Sequence, residues 1–488
     1  MSLQTQEADL NSGYLDYKWK AMITVALATM MGTMDGSITN ISFPILTKVF
    51  DVSVTTVVWV SLAYILTSTS LMLILGRAGD QLGRKKIFIG GIMIFTLGLA
   101  LCSISQNIVQ LIFFRVIQAV GSAMAMSCGS AIITEAFPEQ ERGLGLGFLA
   151  VSVSAGLISG PVLGGLLLDW LHWRSIYYVR IPFGLIVLLM GVFFLNSDKK
   201  QRGKVSFDLL GMVFSSAGLA ALMVGINQLS RYGAKSVVFP ALMALGVLSL
   251  LIFVLVEKRA VDPIVDLTLF KNRVFSSALG GLMVMFLTYS VYILLMPFYL
   301  LKAVGMAPSK AGVLMTVVSM IAIIVGPISG WLSDRFGQVW FATLGAFLTV
   351  LSFWMMVGFD LNSGVMEIAP ALALAGLGMG MFQSPNHSSI MGAVRKDRLG
   401  TASAMISTFR QVGISLGMAL AGTIYSIQMV HHQQELSRQG MAAAEVGRKA
   451  IALSFSDSFF ASAIAMSTVV VLAALTWQAR KKSEGVAG

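Results

Sequence analysis

The chain has 488 residues, of which 56% are hydrophobic and only 12% are charged. Soluble domains carry about 25% charged residues, so this composition argues against a soluble enzyme and indicates helices packed in lipid. The formal net charge of +11 also suggests the hypothesis that the partner is nucleic acid. The two cysteines, Cys102 and Cys128, lie inside apolar runs and predict neither a disulfide framework nor a metal site.

The first 19 residues are polar, which is not the pattern of a signal peptide, so we expect them to form a cytoplasmic arm. After this arm, fourteen apolar stretches are long enough to cross a membrane, which takes about 20 residues. The first eight lie at residues 20–43, 53–75, 87–105, 108–134, 144–168, 175–195, 207–229 and 236–256. The other six lie at residues 274–301, 309–332, 338–358, 367–392, 400–428 and 458–479.

The lysines and arginines are distributed unevenly between these stretches. With the N-terminus inside, most of the 34 cations lie on the inner side, as the positive-inside rule requires of a multi-pass protein. An even number of stretches then places both termini in the cytoplasm, and we predict a location in the cytoplasmic (inner) membrane. The basic charge follows from this topology, so nucleic-acid binding is a remote alternative.

One polar segment occurs twice, because residues 76–86 and 330–337 share the pattern G-x-x-x-D-x-x-G after an apolar stretch. Arg142, before the fifth stretch, likewise has a counterpart in Arg398, before the thirteenth. Parallel repeats of this kind occur in transporters whose substrate site lies between the halves. We predict a cytoplasmic arm, an N-terminal six-helix bundle, a two-helix insert, a C-terminal six-helix bundle and a cytoplasmic tail, at residues 1–19, 20–197, 198–257, 258–480 and 481–488.

The fifth stretch contains the string G-x-x-x-G-P-x-x-G-G. Glycines four residues apart let another helix approach closely, and a proline inside a helix bends it. The alternative is a kinked packing face with no wider meaning. The residues of this string are Gly156, Gly160, Pro161, Gly164 and Gly165.

Several such strings together resemble the fourteen-helix drug:proton antiporter branch of the major facilitator superfamily. They lie at residues 34–44, 76–86, 114–121, 156–165, 400–404 and 410–413. The resemblance covers nearly the whole chain. It implies an all-α membrane fold of two six-helix bundles with two inserted helices, and proton-driven export by alternating access.

Asp35 is the acid well inside the first stretch, and Arg115 lies in the fourth. An ionisable group at membrane depth is costly, so it marks a functional site by default. We expect Asp35 to carry the proton and Arg115 to tune it. The alternatives are an aspartate that only bonds helix hydroxyls such as Thr33 or Ser37, and an arginine that extends towards the membrane surface.

The segment at residues 76–86 is predicted to act as a cytoplasmic latch. Its glycines permit a tight turn, its aspartate can cap the next helix, and its cations can bridge to acids or helix C-termini. The alternative is a loop that only sets topology. The latch residues are Gly76, Arg77, Asp80, Gly83, Arg84 and Lys85.

Four residues are candidates for the substrate pathway. The resemblance places an asparagine where this chain has Arg180, and Arg410 lies deep in the thirteenth stretch, where a structural role is nearly as plausible. Tyr289 and Tyr292 would supply aromatic walls, although most such residues face lipid or pack against other helices. Some members of the resembling branch that favour dications have acids in the thirteenth helix, whereas this chain has none between Arg398 and Gln428. The resemblance therefore implies monovalent, neutral or amphiphilic anionic cargo.

The loop at 429–457 contains His431, His432 and Glu435. These residues could bind a metal, but no further ligand is evident, so a solvated amphipathic surface helix is preferred and no metal is predicted.

The predicted function is proton-coupled antiport of amphipathic drugs or toxic compounds, with the lipid bilayer as surroundings and no cofactor. If the cell is Gram-negative, we also expect a periplasmic adaptor protein as a partner. No nucleotide-binding string or nucleophile arrangement occurs, so we predict no enzyme activity and no ATP-driven pump. The alternatives are a dedicated exporter of an endogenous metabolite, lipid or siderophore and, less favoured, a membrane sensor that has lost transport.

Overall fold

The structure is a computed structural model. It describes residues 3–138, 141–196, 209–232, 237–259, 267–394 and 399–484. Within these ranges the regular secondary structure is helical and no β-strand occurs. The all-α class of the predicted fold is therefore confirmed.

The α-helices are numbered here in chain order. The N-terminal part contains α1 (Leu3–Ile41), α2 (Phe43–Val49), α3 (Val54–Val57), α4 (Trp59–Leu82), α5 (Arg84–Ser103), α6 (Ile108–Ala136), α7 (Arg142–Trp170), α8 (Ser175–Tyr178) and α9 (Ile181–Phe194). The remainder contains α10 (Leu209–Tyr232), α11 (Val238–Glu257), α12 (Arg273–Phe298), α13 (Pro308–Phe336), α14 (Gln338–Val357), α15 (Val365–Gly392), α16 (Leu399–Arg438) and α17 (Ala443–Glu484). A 3-10 helix, Leu267–Lys271, precedes α12, and a π-helical turn, Tyr299–Val304, follows it.

Thirteen helical segments in the described ranges are long and apolar enough to cross a membrane. At the position of the predicted seventh stretch, α10 supplies only a shorter apolar run, Val213–Ile226. The count of fourteen spans therefore stays a prediction. The backbone of the N-terminal arm is helical from Leu3 onwards, because α1 begins there.

The chain packs as two compact units. The first combines Met1–Thr39 with Trp59–Phe207, and the second combines Asn40–Val58 with Asp208–Gly488. The two inserted helices thus pack within the second unit, where the hydroxyl of Thr423 on α16 donates to the Ile226 carbonyl of α10 at 3.1 Å.

The repeated polar segments have the same backbone geometry at their last glycine. Gly83 joins α4 to α5 with φ 107° and ψ 124°, and Gly337 joins α13 to α14 with φ 104° and ψ 125°. Glycine adopts such positive φ angles readily because it has no Cβ. Each predicted loop is therefore a junction of a single residue between two helices.

The segment 429–457 is mostly helical, because α16 and α17 both continue into it. The two helices form a hairpin that turns at Gly440, whose φ is 76°. Leu436, Val446 and Ala450 form a small buried cluster between the helices near this turn. The apolar contact holds the end of the hairpin together.

Candidate functional site

The centre of the candidate site is the carboxylate of Asp35 on α1, which is fully buried. Arg115 Nη1 donates to its Oδ2 at 2.5 Å, and Arg180 Nη1 donates to its Oδ1 at 2.6 Å. Gln118 Nε2 also donates to Oδ1, at 2.9 Å. The buried charge thus has the ion pairs and hydrogen bonds that compensate for its desolvation.

Arg115 is held in place by helices α4 and α6. Its Nε donates to the Val60 carbonyl of α4 at 3.0 Å, and its Nη1 donates to Gln118 Oε1 at 2.8 Å. Its guanidinium carbon lies 4.2 Å from the centre of the Tyr64 ring, a cation–π contact. Because Gln118 follows Arg115 by three residues, both side chains lie on one face of α6.

Arg180 lies where the predicted sixth stretch is interrupted. The chain leaves α8 after Tyr178 and starts α9 at Ile181, with Pro182 in the first turn, where the missing amide hydrogen does no harm. Arg180 Nε donates to the Ile176 carbonyl of α8 at 2.6 Å, which fixes the guanidinium beside Asp35. The side chain is 2% exposed, so the structure places this predicted pathway residue in the Asp35 cluster.

The cluster contains one carboxylate and two guanidinium groups, an excess of positive charge. Among the described residues, the Nη2 atoms of Arg115 and Arg180 and the hydroxyl of Tyr177 are buried without a hydrogen-bond partner. An unsatisfied buried donor costs about 1–3 kcal/mol. The site therefore has unused hydrogen-bond donors that can bind water or an anionic group.

Helix α7 packs on the face of α1 opposite to Asp35. A Cβ atom on Gly156 would lie 2.1 Å from Thr33 Oγ1, and one on Gly160 would lie 1.9 Å from Ser37 Oγ. Thr33 and Ser37 are both two residues from Asp35, which turns them to the other side of the helix. Their hydroxyls donate to carbonyls within α1, at 2.9 and 3.0 Å respectively.

The rest of the glycine string continues along α7. Pro161 lies inside the helix, and Gly164 and Gly165 are buried. The whole string thus belongs to the helix that packs against α1 on the side opposite to the Asp35 cluster.

Two cationic side chains of the predicted latch contact the ends of two neighbouring helices. Arg84 Nη1 lies 3.3 Å from Glu135 Oε2 on the last turn of α6. Lys85 Nζ donates to the carbonyls of Val192, at 2.9 Å, and Leu195, at the C-terminal end of α9. Cations are favourable at helix C-termini. Gly76 lies within α4, and the side chains of Arg77 and Asp80 lie outside the described residues.

The other predicted pathway residues belong to the second unit. Tyr289 and Tyr292 on α12 have ring centres 5.4 Å apart, and the Tyr292 hydroxyl donates to the Met315 carbonyl at 2.8 Å. Arg410 on α16 is half-buried, with its guanidinium carbon 6.0 Å from the centre of the Phe286 ring. Tyr292 is thus tied to α13, while Arg410 contacts an aromatic face.

Sequence reasoning missed two residues of the Asp35 cluster. Gln118 bonds both Asp35 and Arg115, and its spacing from Arg115 is the signal that could have found it. Tyr64 donates to Ser122 at 2.7 Å while its ring faces Arg115. Its place on α4 gives no sign of this contact, because the pairing depends on how α4 packs against α6.

Comparisons with known proteins identify the family. The sequence pattern of the Major Facilitator Superfamily matches residues 25–418. The chain is 33% identical to the riboflavin transporter RibZ of Clostridioides difficile over 421 residues, which cover 86% of this chain and 90% of RibZ. It is 27% identical to the multidrug transporter protein MdtP of Bacillus subtilis over 406 residues, covering 82% and 73% of the two chains.

A solved structure shares the fold. The bacterial homologue of the human lysosomal transporter Spinster, in an inward-facing and unoccupied conformation, superposes with a TM-score of 0.68 at 13% identity. The match covers 94% of this chain and 96% of the homologue. From the matched sequence pattern, the relatives and this shared fold, we conclude that the chain belongs to the Major Facilitator Superfamily of membrane transporters.

Proposed function

We propose that the chain is a secondary active exporter of the cytoplasmic membrane, which moves amphipathic toxic compounds outward in exchange for protons by alternating access. The observation that carries the proposal is the fully buried Asp35 between two arginines. A carboxylate at membrane depth is the group expected in a proton pathway. The relatives named as multidrug transporters support the choice of cargo.

Coupling follows from the charges around Asp35. Protonation removes the negative charge and leaves Arg115 and Arg180 buried without their anion. Leaving a buried charge uncompensated costs about 3–5 kcal/mol. Proton uptake by Asp35 is therefore favourable only together with a rearrangement that separates the carboxyl group from at least one arginine or admits water.

The cluster links the helices that such a rearrangement must move. Asp35 belongs to α1, Arg115 to α6 with a bond to α4, and Arg180 to the junction of α8 and α9. A change in the charge of this carboxylate thus alters bonds to two other parts of the first unit directly, and to α4 through Arg115. Arg84 and Lys85, bound at the ends of α6 and α9, serve as the latch that biases one conformation.

The test is transport in proteoliposomes under an imposed pH gradient, with ethidium as the probe. We expect the wild-type protein to accumulate ethidium against its gradient, and a protonophore to abolish this accumulation. Asp35→Asn keeps the shape of the side chain but removes its titratable proton. It should retain downhill exchange of the dye and lose the uphill component.

The controls separate a lost proton site from a damaged fold. Glu367→Gln removes an exposed carboxylate on the first turn of α15 and should transport normally. Asp35→Glu retains an acid and should recover part of the uphill transport. Full uphill transport by Asp35→Asn would reject Asp35 as the proton site.

A second candidate is the export of one endogenous metabolite. The 33% identity to RibZ over 86% of this chain favours it, and riboflavin is the first cargo to try. A strain without its own drug pumps, expressing this chain, separates the two candidates. Resistance to many amphipathic compounds supports broad export, whereas riboflavin transport without resistance supports a dedicated cargo. Transport of neither would contradict both candidates and leave the membrane sensor as the alternative.

A further inference from the structure

We propose that His431, His432 and Glu435 on α16 bind a divalent transition-metal ion of the Zn²⁺ type, and that Asp457 on α17 positions His432 for it. One donor atom from each of the three ligands can be chosen so that all lie within 4.8 Å of one another. Imidazole nitrogens and a carboxylate oxygen are the donor set that Zn²⁺ and its neighbours in the first transition row prefer.

The contact that turns this group into a site is made by His432. Its Nε2 lies 2.7 Å from Asp457 Oδ2, and Gln428 Nε2 donates to the same oxygen at 2.9 Å. Histidines that bind metals almost always place their other ring nitrogen on a carboxylate or carbonyl, which fixes the ring and the tautomer. With Nε2 engaged by Asp457, Nδ1 of His432 remains for the metal.

The three ligands also have a suitable arrangement on the helix. His431 and Glu435 are four residues apart, so they lie one turn apart on the same face. Their side chains are exposed, whereas His432 is half-buried. Bonds of about 2 Å to a tetrahedral ion require donors about 3.3 Å apart, so the donor atoms must come closer by up to about 1.5 Å. Rotation of the two exposed side chains can supply this shift.

The backbone beneath the site is already ordered by the hairpin of α16 and α17. Leu436 and Ala450 pack between the two helices within two turns of the ligands. Because Asp457 belongs to α17, metal binding would also strengthen the link between the helices. Three protein ligands leave a fourth position for water or another donor, which is the arrangement of an open site. The proposal stands apart from the Asp35 cluster and does not depend on transport.

Isothermal titration of the full-length protein in detergent with ZnCl₂ tests the proposal. The protein must be purified without a polyhistidine tag and treated with a chelator. We expect one saturable site per chain, and no site for MgCl₂, which prefers oxygen ligands. The double variant His431→Ala/His432→Ala should lose the site. Asp457→Asn should weaken binding by about 10–100-fold.

Two further variants make the result decisive. His172→Ala removes an exposed histidine in the first unit and should bind ZnCl₂ as the wild type does. Glu435→Gln changes an exposed side chain, should weaken binding, and gives the answer if the double variant does not fold. Absence of saturable binding to the wild type, or wild-type binding by a folded double variant, would overturn the proposal. Unchanged affinity in Asp457→Asn would remove Asp457 from it.

Discussion

Asp35 and Arg180 form a buried ion pair at 2.6 Å although they are 145 residues apart in the chain. The pair connects α1 to the junction between α8 and α9, at the position where the family resemblance led us to expect an asparagine. Arg180 therefore enters the same cluster as Arg115, and its guanidinium is engaged with an acid and a carbonyl.

Arg180→Asn should impair coupling without changing cargo preference. The substitution removes one of the two cations on Asp35 and leaves Arg115 as its ion-pair partner. We expect ethidium and a neutral probe to lose uphill transport to the same extent in proteoliposomes. Arg174→Gln is the matched control and should keep uphill transport. Arg174 donates to the Ser105 carbonyl and stacks on Trp173, and neither contact involves Asp35. A selective gain for the cationic probe would instead place Arg180 in the cargo pathway.

Substitutions at Asp35 and Arg180 should not be additive. Asp35→Asn alone leaves two buried cations without their anion, and Arg180→Gln relieves part of that excess. We expect the double variant to be more stable than the sum of the single effects, by a coupling energy of about 0.5–3 kcal/mol. Thermal unfolding in one detergent, compared across the four proteins, measures it. Strict additivity would mean that the two charges do not interact.

The contact between α7 and α1 predicts different behaviour for two glycines. A Cβ on Gly160 meets the Ser37 side chain, so Gly160→Ala should be partly rescued by Ser37→Gly. A Cβ on Gly156 also lies 2.5 Å from the Met30 carbonyl oxygen, a backbone atom that no truncation removes. Overpacking of this kind costs about 1–3 kcal/mol.

Thermal unfolding and transport rates check the two cases. Gly147→Ala is the control, because nothing lies within 4 Å of a Cβ at that position on α7. Equal rescue of Gly156→Ala and Gly160→Ala by substitutions on α1 would contradict this packing of α7 against α1.

Gly83→Ala and Gly337→Ala should be destabilising by similar amounts. Both residues have φ angles above 100°, which alanine adopts only with strain of about 1–3 kcal/mol. Around Gly337 a Cβ meets no atom within 4 Å, so its penalty comes from the backbone alone. Gly280→Ala, inside α12 where nothing lies within 4 Å of a Cβ, is the control and should not lower the unfolding temperature.

Much of the fold was predictable because membrane helices are long apolar runs. The positions of α5 to α7 follow from that pattern, and so does the conclusion that the chain lies in a membrane. The break before α9 was not predicted, because Val179 and Arg180 interrupt the helix for only two residues within an otherwise apolar run. Hydropathy averaged over a window does not register an interruption of that length.

The candidate site was predictable in part. Asp35 and Arg115 stood out because charges are rare inside apolar stretches. Their partnership with Arg180 was not predicted, because the pair depends on how α1 and the α8–α9 junction pack together. Likewise, the contact of His432 with Asp457 joins residues on two helices, and periodicity along one helix carries no information about it.

The length of α16 has a practical consequence. Its 40 residues extend for about 60 Å, roughly twice the hydrocarbon thickness of a bilayer. Together with α17 it forms a hairpin whose end carries its own small apolar core. A membrane protein of 52.3 kDa offers few features for image alignment in electron cryomicroscopy. An antibody fragment raised against this end would supply one.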